Sequence, residues 1–552
     1  MFESVDLPGA LYESSNAPLL TGILRGVEKE SLRIDSSGRL ALSTHPSALG
    51  SALTHPQITT DFSEALLEFI TPPSHRIDDV IRSLDTVHRY TYAQLDHSQT
   101  ESEMLWCHSM PCPLEPGQEI PVARYGSSNI GKMKTIYRQG LSHRYGSVMQ
   151  TVAGIHYNFS MPTAFWAFLH THENSTLNPD DFRTKRYFDL IRNFRRHYWL
   201  LIYLFGASPA VCSSFVQDRP HDLDTFENHP DTLYRPYATS LRMGDLGYQS
   251  ASQEALYICY NQQKTYLQTL ISAIKTPYPP YERIGLRSQD GSYQQLNASL
   301  LQIENEFYSA IRPKRTARTG ETALTALGHR GVEYIEVRCL DIDPYDPIGI
   351  SRSQMLFLDT FLLYCLLQPS PISTRKECEY VLANQQAVVN RGRQPGLTLW
   401  SEAEGEVELR RWAEHLMRGL APIADMLDKA HDSRAYTESL ELQSAKVKAS
   451  ELTPSARLLA DMHSQNLGFS ELARRMSDEH RDYFRQHPLQ GRALDKMQSL
   501  ATRSLAEQAA LEQADTLGFD EYLARYYQQY DSLSTVRTNG TVGAGYTENT
   551  DR

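Results

Sequence analysis

Carboxylates recur beside Arg, His or Tyr in segments with the two-residue period of β-strands. The sharpest are Gly26-Val-Glu28-Lys-Glu30-Ser-Leu-Arg33, Thr60-Asp61-Phe-Ser-Glu64-Ala-Leu-Leu-Glu68-Phe, Gly154-Ile-His156-Tyr-Asn158-Phe-Ser and Glu333-Tyr-Ile-Glu336-Val-Arg338. Strand side chains alternate between the two faces of a sheet. Glu28 therefore shares a face with Glu30, His156 with Asn158, and Glu336 with Arg338, while Ile155, Tyr157 and Phe159 point the other way. A buried charge without a partner is very costly. A hard cation with oxygen ligands removes that cost. The pattern reads as a sheet that holds divalent cations. Its candidate carboxylates are Glu28, Glu30, Asp61, Glu64, Glu68, Glu304, Glu306, Glu333 and Glu336, with His156 as a candidate nitrogen ligand. For any one of them, a solvated strand face with ordinary ion pairs is the competing reading. Many carboxylates and a single attractive histidine favour magnesium or manganese over zinc.

Basic residues lie close to these segments. Arg242 ends Tyr237-Ala-Thr-Ser-Leu-Arg242, Arg338 follows Glu336, and Arg312, Lys314 and Arg315 form Ile311-Arg-Pro-Lys-Arg. Arginine forks bind carboxylates and phosphates in a bidentate way. Cations beside metal carboxylates are what phosphoryl transfer needs. Gly126-Ser-Ser-Asn-Ile-Gly131-Lys132-Met133 nearly matches a phosphate-binding loop, but Met133 stands where a hydroxyl should hold magnesium. It reads instead as a turn before a helix around Tyr137. No dinucleotide fingerprint or nucleophile elbow is present. Cys212 has no base partner in sequence and reads as a packed thiol.

The chain has 552 residues, of which 41% are apolar and 22% charged, an ordinary water-soluble composition. A net charge of −12 argues against nucleic-acid binding as the main role. Seven scattered cysteines without paired Cys-x-x-Cys motifs imply reduced thiols and a cytoplasmic location. Cys107 and Cys112 make only a weak zinc pair. No signal peptide and no membrane span are expected, since the longest apolar run, Tyr198 to Cys212, is too short and contains Gly206 and Pro209.

The first 20 or so residues carry little pattern, and from about 22 to 72 the chain reads as strands and loops. Helices are expected at 77–95, from Asn178-Pro179 through about 204, at about 250–275, and from the Ser351-x-x-Gln354 capping box to Leu367. Strands are expected near 148–160, 298–308 and 332–340. The irregular alternation indicates α+β with a largely antiparallel sheet. Three regions are expected: a catalytic domain over 1–400, a helical C-terminal region over 401–530 packed on it, and a disordered tail over 531–552.

These segments together resemble the proteobacterial type of glutamate–cysteine ligase. The matching pieces include Arg25-Gly-Val-Glu-Lys-Glu-Ser-Leu-Arg33, His45 to His55, Thr59-Thr-Asp-Phe-Ser-Glu-Ala-Leu-Leu-Glu68, Gln150-Thr-Val-Ala-Gly-Ile-His-Tyr-Asn-Phe-Ser160, Pro236-Tyr-Ala-Thr-Ser-Leu-Arg242, Ile311 to Arg315 and Glu333-Tyr-Ile-Glu-Val-Arg338. They run in order over about the first 400 residues. The resemblance implies a glutamine-synthetase-like curved antiparallel sheet, forming a funnel with helices outside. It implies ATP-dependent joining of glutamate to cysteine through a γ-glutamyl phosphate, the first step of glutathione synthesis. It implies Glu28, Glu30, Asp61, Glu68, His156 and Glu336 as ligands of magnesium, or of manganese. Arg242 and Arg338 would hold carboxylate or phosphoryl oxygens, and Arg312, Lys314 and Arg315 would bind ATP. Tyr137, Gln150, Asn158, Tyr248 and Arg242, with Phe62 and Leu141, would form the amino-acid pocket. Feedback inhibition by glutathione and a monomer rather than an oligomer are expected. Two alternatives remain open at this point: a ligase on the same scaffold with another amine acceptor, and a metal-dependent hydrolase.

Overall fold

The computed structural model describes residues 9–96, 103–216, 219–247 and 256–534. The strands are β1 (Leu24–Ile34), β2 (Ile58–Thr60), β3 (Leu66–Ile70), β4 (Met104–Leu105), β5 (Ile155–Ser160), β6 (Ala210–Cys212), β7 (Asp224–Phe226), β8 (His229–Tyr234), β9 (Ile311–Lys314), β10 (Tyr334–Leu340), β11 (Thr398–Ser401) and β12 (Gly405–Glu408). Seven of them build one sheet in the order β2-β3-β1-β5-β10-β9, with β4 added to the end of β1. Every ladder in it is antiparallel. The α+β class with an antiparallel central sheet is thus the observed architecture.

Alternation divides this sheet into two chemically different faces. Val27, Tyr157, Phe159, Ile311, Ile335 and Val337 are buried on one side, in the main apolar core. The helix Arg352–Leu367 lies behind that side and is itself buried almost all round. It starts at the expected capping box, with Ser351 accepting from the Gln354 amide and Gln354 reaching back to the Ser351 amide. Asp359 of this helix accepts the Tyr157 hydroxyl at 2.7 Å and pairs with Arg25 at 2.8 Å. Polar groups on the core side are therefore matched in place, as burial requires. The opposite face carries the carboxylates.

Several boundaries differ from the sequence expectation. The segment 61–65 between β2 and β3 is a turn, so Asp61 and Glu64 leave the strand period. Near 148–160 only β5 is extended, and Val148–Thr151 is a 3-10 turn. No strand forms over 298–308, where a 3-10 turn spans Glu304–Glu306. The helix from Pro179 ends at His197, and a second helix runs Trp199–Phe205. The helix expected at 250–275 spans Gln263–Lys275, with 256–262 irregular and 250–255 outside the described residues. The hairpin β11–β12 occupies the start of the region expected to be purely helical. The last helix, Phe519–Ser534, enters the expected tail, and 535–552 lie outside the described residues, as do 1–8. Among the described residues no helix is long and apolar enough to cross a membrane.

The C-terminal helices return to the front of the sheet. On the helix Gly491–Ala514, Ser504 Oγ accepts the Ser51 amide at 2.9 Å, and Glu512 accepts the Ser127 amide at 2.8 Å. The near-phosphate loop is an N-cap instead: Ser128 accepts the Gly131 amide and opens the helix Asn129–Tyr145.

Candidate active site

Strand register brings the acidic residues together. Glu30 sits opposite Glu68, Glu28 opposite His156, Asn158 opposite Glu336, and Glu336 opposite Arg312. Opposed side chains on one face of an antiparallel pair approach closely. His156 Nδ1 is 3.1 Å from Glu28 and 3.9 Å from Glu336, and its Nε2 is 3.6 Å from Glu30. The Asn158 amide donates to Glu28 at 2.9 Å, and the Gly154 amide donates to Glu30 at 2.6 Å.

The electrostatics are those of a carboxylate nest with a basic rim. Burial pushes the Glu68 carboxyl well above the ordinary range, and the charges of Glu28, Asp61 and Glu30 push it further. Burial also raises Glu30, against the pull of His156. Burial acts on Glu336 too, but Lys314, Arg338 and His156 overcome it and hold that carboxyl well below its usual value. Glu28 likewise falls, because the His156 hydrogen bond and charge outweigh burial and Glu336. Lys314 Nζ and an Arg338 nitrogen each lie 3.3 Å from Glu336. Arg338 also reaches within 3.5 Å of His156.

Divalent metal fits this donor set. Glu28, His156 and Glu336 offer ligand atoms that all lie within 4.8 Å of one another. Glu336 Oε2 and His156 Nε2 are buried and make no hydrogen bond. Buried polar atoms of this kind call for a partner, and oxygen-rich donors with one imidazole suit a hard cation. Cys107 and Cys112 are buried free thiols outside this group.

Other expected residues are placed differently. Glu64 accepts the amides of His45 and Arg124, which ties loops together. Glu304 accepts from Leu324 and Tyr530, and Glu306 from Arg144 and Tyr145. Glu333 lies near Arg315 and the Thr316 amide at the end of the sheet. These four candidates act as structural acceptors. Arg242 is fully buried, with Nε 2.8 Å from Asp341 and Nη2 donating to the Leu340 carbonyl at 2.7 Å. It lies directly under Gly154, where an added Cβ would meet Arg242 Nη1 at 2.8 Å. Arg242 thus supports the loop whose amide holds Glu30. Arg312 donates to the Asn305 and Phe307 carbonyls, and Arg315 to those of Arg330 and Gly331. Of the three basic residues expected at ATP, Lys314 is the one whose side chain pairs with Glu336.

The helix Asn129–Tyr145 forms a wall beside the nest. Tyr137 and Leu141 lie on this helix and, like Phe62, pack into the main apolar core, and Gln150 donates to the Tyr308 hydroxyl at 3.0 Å. Tyr248 lies outside the described residues. A cavity of about 500 Å³ is bordered by Tyr308, Arg338, Tyr260, Ile258 and Gln385, and the helix Asn129–Tyr145 does not line it. That volume is the size of a small-molecule site. Tyr308, Lys134 and Arg138 were not foreseen. Arg138 donates to the Asp61 carbonyl, and Lys134 lies over the Tyr125 ring. Lys134, Tyr137, Arg138 and Leu141 recur at helical spacing, so a 3.6-residue reading of this helix was the available signal. Tyr308 has no such signal, since it sits on an irregular loop.

Comparison with known proteins agrees with this geometry. A family model described as glutamate-cysteine ligase matches residues 9–388. The glutamate–cysteine ligase of Saccharophagus degradans is 54% identical over 530 residues, covering 96% of this chain and 99% of that relative. The Pseudomonas aeruginosa glutamate–cysteine ligase is 50% identical over 516 residues, covering 94% and 96%. A crystal structure of glutamate–cysteine ligase from Francisella tularensis in complex with AMP superposes with a TM-score of 0.86 at 37% identity, covering 93% of this chain and 99% of that one. A bifunctional glutathione synthetase from Pasteurella multocida shares the fold, with a TM-score of 0.68 at 23% identity over 87% of this chain and 55% of that one. With its sheet-borne carboxylates and this extent of similarity, the chain belongs to the glutamate–cysteine ligase family.

Proposed function

We propose that this enzyme joins the γ-carboxylate of L-glutamate to the amine of L-cysteine, converting ATP to ADP and phosphate. The observation that carries this reading is the Glu28–His156–Glu336 cluster with Arg338 and Lys314 at its edge, in a chain of this family. Glu28, Glu30, Asp61, Glu68, His156 and Glu336 are the residues that would hold magnesium, or manganese, whose chemistry here is neutralisation of polyphosphate charge. Arg338 and Lys314 point their nitrogens at the same Glu336 oxygen. In this reading they hold oxygens of the phosphoryl group while the glutamate γ-carboxylate attacks its phosphorus and ADP departs. The cysteine amine then attacks the acyl carbon of the γ-glutamyl phosphate, and phosphate leaves. No side chain serves as a covalent nucleophile. Positioning and charge neutralisation supply the rate.

Tyr137, Gln150, Asn158, Phe62 and Leu141 form the amino-acid pocket, with Tyr248 assigned to it from the sequence. Arg242 acts from beneath, through Gly154 and Asp341, and Arg312 steadies the loop that carries Tyr308. The enzyme works as a cytoplasmic monomer, a location that its seven free thiols support. Glutathione acts as a feedback inhibitor.

The test is ADP release by the purified protein with ATP, magnesium and glutamate, with and without cysteine. ADP released only with cysteine, matched one for one by γ-glutamylcysteine, is the expected result. Release that ignores cysteine would point to a hydrolase, and release with other amines alone would point to another acceptor. The same assay at low glutamate with millimolar glutathione should show a lowered rate.

A further inference from the structure

We infer that Tyr527 and Tyr530, on the helix Phe519–Ser534, are positioning residues for the acceptor amino acid. The inference rests on the ligase reading above. Tyr530 is fully buried and donates to Glu304 Oε2 at 2.6 Å, while Glu304 Oε1 accepts the Leu324 amide at 3.2 Å. Tyr527 donates to the Gln302 carbonyl at 2.9 Å and accepts from Asn297 at 2.8 Å. Both hydroxyls therefore hold the loop 302–308 from its outer side.

The inner side of that loop holds the pocket wall. Gln302 Nε2 donates to the Tyr137 carbonyl at 3.1 Å, and its Oε1 accepts the Leu296 amide at 2.9 Å. Gly140 packs so closely on this amide that a Cβ would lie 2.2 Å from Gln302 Oε1. Two residues after Gln302 comes Glu304, then Glu306, which accepts Arg144 at 2.9 Å and Tyr145 at 2.8 Å. The loop ends at Tyr308, bonded to Gln150. A small apolar cluster of Met133, Leu296, Ile303 and Leu523 joins the two helices, with Tyr137 and Tyr527 packed on it.

A shift of the last helix is thereby passed to Tyr137, Leu141 and Tyr308. It reaches Glu28, His156 and Glu336 less directly, through Arg312 alone, because their places are fixed by strand register. The donor carboxylate must reach the cation cluster to meet the γ-phosphorus. The wall supplies none of that cluster's ligands, and Tyr308 at the end of its loop borders one cavity with Arg338, which assigns the wall to the incoming amine.

The experiment is steady-state kinetics of Tyr527→Phe and Tyr530→Phe, with Arg525→Ala as a control on the exposed side of the same helix. Loss of one hydroxyl should raise KM for cysteine about three- to tenfold, the loss expected for one hydrogen bond. KM for ATP and glutamate should stay within about twofold. The preference for cysteine over 2-aminobutyrate should change in the Tyr→Phe variants and not in the control. If Tyr530→Phe fails to fold because Glu304 is left unpaired, Tyr527→Phe carries the test. Unchanged KM for cysteine, or a loss of kcat that merely follows the folded fraction, would overturn the inference while leaving the ligase reading intact. A parent enzyme without cysteine-dependent turnover would remove both.

Discussion

Glu336 is the residue on which the site turns. One of its oxygens faces Lys314 and Arg338, and the other is buried without a hydrogen bond. Glu336→Gln keeps shape but removes the charge that offsets both cations. Turnover should fall by at least ~100-fold, more than the loss seen when only an outer supporting group is removed. The circular dichroism spectrum should be unchanged. In the parent, added magnesium should raise the melting temperature, because a ligand that binds only the folded state stabilises it. That rise should shrink or vanish in Glu336→Gln. Activity retained with unchanged magnesium dependence would take Glu336 out of the ligand set. Arg242 is a different case. Its charge answers Asp341 in a buried pair, so its influence on the nest travels through the Gly154 loop.

The central sheet separates chemistry from support by alternation alone, and that is why so much of it was legible. Period two in Glu28–Glu30, His156–Asn158 and Glu336–Arg338 needed only local sequence, and the three pairs do share one face. Apart from Arg312 on β9, the residues that misled were those off the strands. Glu64 and Glu304 are acidic and buried, yet Glu64 serves loop amides and Glu304 the Leu324 amide at a helix start, and nothing in their spacing distinguishes those roles. Tertiary partners such as Asp341 under Arg242, or Tyr530 on Glu304, lie about 100 to 226 positions away and leave no local trace. The helix behind the sheet gives the prediction at this scale. Asp359→Ala would strand Arg25 as a buried charge and leave the Tyr157 hydroxyl only a long 3.4 Å bond to the Met355 carbonyl. Breaking such a pair costs about 3–5 kcal/mol. Urea unfolding should show a loss of that order, and a change under 1 kcal/mol, roughly that of an exposed pair, would mean that the helix is held by apolar packing alone.

Across the whole molecule the C-terminal helices pack into the main apolar core and add polar contacts to the elements around the sheet. Lys446 illustrates them. It donates to the Leu204 carbonyl at 3.2 Å and lies over the Phe205 ring. Burial lowers its ammonium from 10.5 to about 8, with Asp343 opposing and Arg457 adding to the shift. Between those two values the unfolded chain binds more protons than the folded one, so stability must rise with pH there. Below about 8 the full penalty is present. Lys446→Met should therefore be more stable than the parent at neutral pH, and its stability should rise less over that alkaline interval. Urea midpoints at pH 7 and pH 10 would check both signs. Strand order carries one further consequence, in the timing of synthesis. β1 must wait for β5, 128 positions later at the Glu28–His156 pair, and β5 must wait for β10. Long-range pairings of this kind close slowly. A growing chain cannot assemble the carboxylate nest until β10 has left the ribosome, and the loop 302–308 gains its bonds to Tyr527 and Tyr530 only when the last helix has followed. The nascent protein thus spends most of its synthesis with Glu28 and Glu30 made but not yet gathered into a site.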